Sequence, residues 1–303
     1  MPKEYLVTGG AGFIGSNLVE RLSKEGKVTI IDNLHTGSEK NLEGARKEVV
    51  FVKGDSENLE SVSVRPSVIY HLGIYSASPM YRENPKLVGK VINGMISVLE
   101  LARKNDSNVV FASTSSIYNG VKPPHREDII PSVTDFYTEA RIGAERISEL
   151  YNKLYGINVQ AMRFFSVYGY HEDEKGGYAN LATQFFKEMK ENRQPVIYGD
   201  GKQRRDFVFV DDVVEALILA SSVKGFNVFN VGFGKNYSLL ELVEKINGLL
   251  GKDIKPKFIE MPVKNYVMET LADTTKSQKV LGFRAKISLD EGLRRIKEYY
   301  DAR

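Results

Sequence analysis

The chain has 303 residues, enough to bury a large core as one big domain or two smaller ones. Hydrophobic residues make up 42% and charged residues 27%, and the net charge is only +3 with both signs interspersed, which excludes a basic nucleic-acid track. No run of about eighteen apolar residues exists to cross a membrane, and the absence of cysteine excludes disulfides, thiolate metal sites and a cysteine nucleophile.

The N-terminus enters a strand pattern at once, with no charged-then-apolar leader, so the expected location is the cytoplasm. The first apolar run, Tyr5 to Val7, meets a glycine cluster, and helical spacing follows from Phe13 through Leu22. Further strands are expected at Val28–Ile31, Val49–Val52, Val68–Leu72, Val109–Ala112 and Val159–Phe164, with helices at Lys86–Lys104 and Tyr137–Tyr155. This alternation predicts an α/β protein: a Rossmann-type doubly wound parallel sheet with helices on both faces and ligands at the carboxyl ends of the strands. A loop from Tyr168 to Gly177 leads to a helix over Asn180–Glu191. Strands at Phe207–Val210 and Val228–Val231 flank a helix from Asp212 to Ser221, and amphipathic helices cover Ser238–Leu250, begun by a serine cap, and Leu289–Tyr300. The expected division is a cofactor domain over 1–167, joined by segments near 201–232, and a smaller α/β substrate lobe over most of 168–303.

Gly10, Gly12 and Gly15 fit G-x-G-x-x-G, with Gly9 one step earlier. A glycine turn between strand and helix lets backbone N–H groups of Gly9, Gly12, Phe13, Ile14 and Gly15 approach a pyrophosphate, and the helix N-terminus adds partial positive charge. Asp32 closes the second strand seventeen residues after Gly15. A carboxylate there accepts from the adenosine ribose hydroxyls and repels a 2′-phosphate, which points to NAD as cofactor. Val109–Ala112 runs into Ser113-Thr114-Ser115-Ser116, a hydroxyl cluster placed to bond a substrate alcohol or carbonyl. Tyr137 and Arg141, four apart on one helix, share a face, and a cation beside a phenol stabilises the phenolate. Such a phenolate can take a proton from an alcohol. His35, His71, His125 and His171 have no ligand spacing and read as structural or surface residues, so no metal is expected.

At these residues the chain resembles the extended short-chain dehydrogenase/reductase family, above all its nucleotide-sugar epimerases and dehydratases of the UDP-glucose (galactose) 4-epimerase type. The motifs are T-G-G-A-G-F-I-G at Thr8, I-D-N-L at Ile31, S-S-I-Y at Ser115, R-F-F-S-V-Y-G at Arg163, G-D-G-K-Q-R-R-D-F-V-F-V-D-D-V at Gly199, N-V-G-F-G at Asn230 and T-L-A-D-T-T-K at Thr270. The resemblance implies a retained NAD that takes hydride from the sugar C4 and returns it to the other face of a 4-keto intermediate. It gives Tyr137 the proton of the 4-hydroxyl and Thr114 a share in its hydrogen bonds. It adds cofactor contacts at Asn33, Asp55, Ser56, Leu72, Gly73 and Phe165, besides Tyr137 and Arg141. Ser166, Asn180, Leu181, Tyr198, Arg205 and Thr270 fall at substrate positions: Arg205 for phosphate, Asn180 and Leu181 for diphosphate and uracil, Tyr198 for the base, Thr270 for the C2 substituent. It also implies a homodimer through the helices over 86–104 and 137–155, a UDP-sugar as partner, and no nucleic acid or membrane.

The chain departs from the family pattern at several places. Arg141 stands for the lysine of Y-x-x-x-K, Ser166 for an asparagine, and Asn119 for a glycine. Val263-Lys264-Asn265-Tyr266 replaces R-P-G-D, with Lys264 left to supply the lost charge. Ser115 and Ser116 occupy the positions where related dehydratases carry Asp-Glu, and Ser116 that where decarboxylases carry Glu. The pattern that fits is 4-epimerization of UDP-glucose or UDP-galactose. Two alternatives stay open: another NAD-dependent nucleotide-sugar oxidoreductase, or a nucleotide-sugar-binding protein with weak catalysis.

Overall fold

The computed structural model describes residues 3–45, 49–132, 134–261 and 266–303. Seven parallel strands form the central sheet: β1 (Lys3–Thr8), β2 (Gly26–Asp32), β3 (Val49–Lys53), β4 (Val68–His71), β5 (Asn108–Thr114), β6 (Val159–Phe164) and β10 (Phe226–Val231). Their order is β3-β2-β1-β4-β5-β6-β10. The chain runs outward in one direction from β1 to β3 and then in the other from β4, so a crevice opens between the carboxyl ends of β1 and β4.

Strand alternation decides what each face buries. Tyr5, Val7, Ile30, Tyr70 and Val110 point to the face covered by α1 (Phe13–Leu22) and α6 (Val210–Ala220). Leu6, Ile31, Ile69, Val109 and Phe111 point to the other face, covered by α3 (Leu87–Asn105) and α4 (Phe136–Tyr155). Because both faces are covered, the strands read as nearly continuous apolar runs. α4 is started by a capping box, in which the Asp135 carboxylate accepts from the Thr138 N–H and the Thr138 hydroxyl faces the Asp135 N–H, and it stops at Gly156 in the left-handed region.

A short helix, α2 (Ser78–Glu83), precedes α3 and is not anticipated from the sequence. The Ser78 hydroxyl ties it to the Asp135 carboxylate at 2.6 Å, beside the start of α4.

After Phe165 the chain leaves the central sheet. β7 (Ser166–Tyr168) pairs parallel with β9 (Arg204–Phe209), and β11 (Asn236–Ser238) pairs antiparallel with β9. A further pair joins β8 (Val196–Tyr198) to β12 (Lys257–Ile259). Around these pack α5 (Leu181–Lys190), α7 (Leu239–Leu250) and α8 (Leu289–Asp301). Asp206 on β9 binds this region together: its buried carboxylate accepts from the N–H groups of Phe233, Gly234 and Ala272 at 2.7, 3.0 and 3.0 Å. β10 returns to the central sheet beside β6, and α6 packs on α1.

Candidate active site

The turn after β1 is built for close approach. Gly9 has φ +69°, and a Cβ on it would meet the Gly73 nitrogen at 2.5 Å, so the β1 and β4 turns touch through bare backbone. A Cβ on Gly15 would strike the Gly9 carbonyl oxygen. Gly12 is the N-cap of α1, and no side chain closes that helix end. Its first N–H groups are therefore left to an anion. Asp32 is buried at the end of β2 and accepts from Ala11 N–H at 2.9 Å and Leu34 N–H at 2.8 Å. Burial pushes its carboxyl above the usual range, and the N–H groups of Leu34, Ala11 and Gly12 pull it back. Asn33 donates to the Asp55 carboxylate at 3.1 Å, and Asp55 in turn caps the short turn that begins at Ser56.

His71 ends β4 with its ring buried. Thr8 Oγ1 lies 2.7 Å from His71 Nδ1 and accepts the Gly73 N–H at 3.1 Å. The pair is a hydrogen bond in either tautomer, with the ring proton on Nδ1 or on Nε2. Burial, with help from the nearby Arg141 charge, lowers the imidazole to about 3, so the ring is neutral. Its Nε2 is buried in the cleft wall without a hydrogen-bond partner among the described residues. The sequence gives no sign of this, because the hydroxyl that fixes the ring is sixty-three positions away.

The end of β5 is held by a buried polar chain. Ser113 donates to Glu145 at 2.5 Å, Glu145 pairs with Arg163 at 2.7 Å, and Arg163 donates to the Tyr118 hydroxyl at 2.8 Å. Tyr118 completes it by donating to Asn230 at 2.7 Å. Thr114, next in line, accepts the Ser116 N–H at 3.1 Å and so caps the turn over Ser115–Tyr118, leaving its hydroxyl proton free to donate.

Tyr137 stands half-buried in the first turn of α4, edge-on to Tyr81 with ring centroids 5.5 Å apart. The Arg141 guanidinium lies over its ring at 5.1 Å. Arg141 is buried, with Nη1 donating to Ala112 O at 2.9 Å and Nη2 to Tyr75 O at 2.7 Å. Its Nε has no partner among the described residues. The arginine is thus an anchored cation that ties α4 to β5 and to the loop after β4.

Opposite lies a wall of side chains. Asn180 caps α5, accepting from Ala182 N–H at 2.9 Å, with Leu181 next to it. Arg205 donates to the carbonyls of Arg204 at 2.9 Å and Val267 at 2.5 Å, with no acidic partner among the described residues. Its guanidinium lies 5.4 Å from the Tyr266 ring centroid, and Tyr266 meets Tyr198 edge-on at 6.0 Å. Thr270 is buried and accepts the Asp206 N–H at 3.2 Å. Of the altered stretch 263–266 only Tyr266 lies within the described residues.

A single cleft is lined by every residue that the sequence assigns to cofactor, catalysis or substrate, from Gly9 to Thr270. It also takes in Lys175, Tyr178 and Tyr266, which the sequence does not single out.

The model of the NAD-dependent epimerase/dehydratase family matches residues 5–232. The chain belongs to this family. A UDP-glucuronate 4-epimerase of Thermodesulfobacterium geofontis is 34% identical, over 96% of this chain and 94% of its own. UDP-glucuronic acid decarboxylase 1 of Arabidopsis thaliana is 30% identical, over 96% of this chain and 68% of its own. The crystal structure of the Thermotoga maritima UDP-glucose 4-epimerase with UDP-glucose superposes with a TM-score of 0.93 at 31% identity, covering 99% of each chain. The doubly wound fold is therefore that of an epimerase/dehydratase, and NAD is the cofactor. The residues present fit it: a glycine cradle that a Cβ would fill, an uncapped helix end, and two buried nitrogens, His71 Nε2 and Arg141 Nε, without hydrogen-bond partners among the described residues. Among the described residues no helix is long and apolar enough to cross a membrane.

Proposed function

We propose that this epimerase/dehydratase inverts a UDP-sugar at C4, in the manner of the UDP-glucose/UDP-galactose interconversion. The observation that carries the reading is the arrangement at Tyr137: a phenol in the cleft, a fixed cation over its ring, and the Thr114 hydroxyl lining the same cleft. NAD, when bound, supplies a reversible hydride acceptor. Tyr137 holds the 4-hydroxyl proton at its phenolic oxygen, with the anchored Arg141 guanidinium over its ring. Thr114 donates to the sugar oxygen as it becomes a carbonyl and accepts again as the alcohol re-forms. Arg205, with carbonyl and Tyr266 partners but no carboxylate among the described residues, takes substrate phosphate, and the Tyr198–Tyr266 pair offers ring faces to the base.

Ser115 and Ser116 stand where the family resemblance puts the carboxylates of dehydratases and decarboxylases. That supports the epimerase reading over dehydration or decarboxylation. Exposed Leu150, Leu154 and Tyr155 on α4 and Ile96 on α3 support pairing of two copies through these helices.

The test is incubation with UDP-galactose and, separately, UDP-glucose under added NAD, with the product ratio read by chromatography. The same mixture should form from either side without net NADH. Net NADH would mark an oxidoreductase, and binding without conversion a nucleotide-sugar-binding protein.

A further inference from the structure

The loop 170–178 enters from the side-chain wall and clips onto the cofactor helix. His171, with φ +67°, brings Nδ1 to 2.8 Å from Ser16 Oγ, and Asn17 donates to Tyr170 O at 3.2 Å. At its tip Lys175 places its ammonium 5.3 Å from the centroid of the Phe13 ring, at the first residue of α1. This lysine side chain is only 16% exposed, and its nearest acidic partner, Glu172, lies at 3.7 Å, beyond hydrogen-bond reach. Glu172 is fully buried and already accepts from Asn180 N–H at 2.9 Å and from the Thr183 hydroxyl. The Lys175 ammonium is held in the cleft between the Phe13 ring and the Glu172 carboxylate, with no protein acceptor at hydrogen-bond distance among the described residues. Phe13 and Lys175 both line the cleft.

We propose that Lys175 is a diphosphate-binding residue, carried by the 170–178 loop to the place where the cofactor turn and the α5 N-terminus face each other. The proposal rests on the NAD and UDP-sugar reading above. A diphosphate at this point belongs either to NAD on the Gly12–Phe13 turn or to the nucleotide sugar at Asn180 and Leu181. Either one offers the ammonium phosphate oxygens as charged acceptors. Because the loop is fastened to α1 through Ser16 and Asn17, the lysine also links the two walls of the cleft.

Calorimetric titration of NAD and of UDP into the unmodified protein, K175M and K175R tests this, with adenosine as a ligand that lacks the diphosphate. K175M should weaken one diphosphate ligand by roughly ten- to hundredfold, while K175R stays within about threefold and adenosine is unaffected. Loss for NAD alone assigns the contact to the cofactor, and loss for UDP alone assigns it to the substrate. Should K175M fail to fold, the double variant E172Q/K175Q removes both charges together and is read in the same way. Unchanged binding of both ligands, beside an unmodified protein that binds both, overturns the proposal and leaves Lys175 as the partner of Glu172 only. An unmodified protein that binds neither NAD nor UDP overturns the functional reading itself.

Discussion

The two walls of the cleft are made of different material. On the α1 side the surface is main chain: the turn over Gly9–Gly15, the open end of α1, and a carboxylate at Asp32 that is itself bound to backbone N–H groups. On the facing side it is side chain: Ser166, Asn180, Tyr198, Arg205 and Thr270, drawn from β7, the α5 cap, β8, β9 and the segment after β12. Main-chain recognition is unforgiving of a Cβ, whereas side-chain recognition tolerates exchange of one polar group for another. Apart from Asn119 after β5, the departures from the family pattern that line the cleft follow that division. The glycine turn is intact, while Ser166 and Tyr266, which both line the facing wall, stand where the family pattern has other residues. Arg141 lies between the two, a replaced side chain that is nevertheless fixed by backbone carbonyls.

The largest effect is expected where neither wall can compensate. Tyr137→Phe removes the proposed proton carrier, and turnover should fall roughly a thousandfold with NAD affinity within about twofold. A variant that keeps more than about a tenth of normal turnover, against the usual general-base contribution, would remove Tyr137 from the chemistry.

Arg141 tests how far a side chain can become part of the framework. Arg141→Met strips two buried carbonyls of charged donors and the phenol of its cation, so turnover should drop by roughly a hundredfold and thermal stability should fall. Arg141→Lys keeps a charge on the same helical face and should retain turnover. If Arg141→Met is as active as the starting protein, the cation over Tyr137 is irrelevant to the reaction and weak catalysis becomes the better reading.

The main-chain wall is broken most directly at Gly15. A methyl there strikes the Gly9 carbonyl, and such overpacking costs about 1–3 kcal/mol. Gly15→Ala should therefore weaken NAD by about tenfold or more in titration while UDP binding changes little. Equal loss of both ligands would show that the two walls are not independent.

The way the walls are built also explains what the sequence reveals. Helix α1, the glycine turn and Asp32 are legible because strand, turn and helix are contiguous and the residue types are forced by sterics. Helices α3 and α4 are long and periodic, and their ends fall within a residue of the sequence reading. β7, β8, β11 and β12 are three residues each, too short for any period, and α2 spans six residues, less than two turns. Within the site, the hydroxyl cluster and the Tyr137–Arg141 pair are local patterns. The Ser113–Glu145–Arg163 chain, the Thr8–His71 pair and the placement of Lys175 over Phe13 arise between segments far apart in the chain. No local signal announces them.

On the side-chain wall, Thr270 should set tolerance for a bulky group at the sugar C2. A small residue leaves room, so UDP-N-acetylhexosamines should be accepted beside the plain sugars. Thr270→Tyr should lower the ratio of acetylated to plain activity by about tenfold or more, since a filled pocket rejects by overlap. The Thr270 hydroxyl also accepts the Asp206 N–H, so Thr270→Val is the control: it removes that bond at constant shape and should leave the ratio unchanged. A ratio that follows the hydroxyl rather than the bulk would assign the effect to Asp206 and the β9 framework.

The smallest effect is expected at Asp32, where the two kinds of recognition coincide. Its carboxylate repels a 2′-phosphate, and it also holds the turn through Ala11 and the following loop through Leu34. Asp32→Ala removes both functions, and the two separate by which affinity moves. Lost repulsion tightens NADP and spares NAD. A loosened turn weakens both by the same factor, because both place the same pyrophosphate on it. The preference for NAD over NADP should narrow by roughly tenfold, about the strength of one charge contact in a partly buried setting. Asp32→Asn sharpens the distinction, since the amide oxygen can still accept one backbone N–H while the charge is gone. If Asp32→Asn narrows the preference as much as Asp32→Ala and keeps NAD affinity, charge alone selects the cofactor. If both variants lose NAD and NADP in parallel, Asp32 belongs to the main-chain wall as a clamp. Tighter binding of NADP than NAD to the unmodified protein would end the claim that Asp32 selects at all.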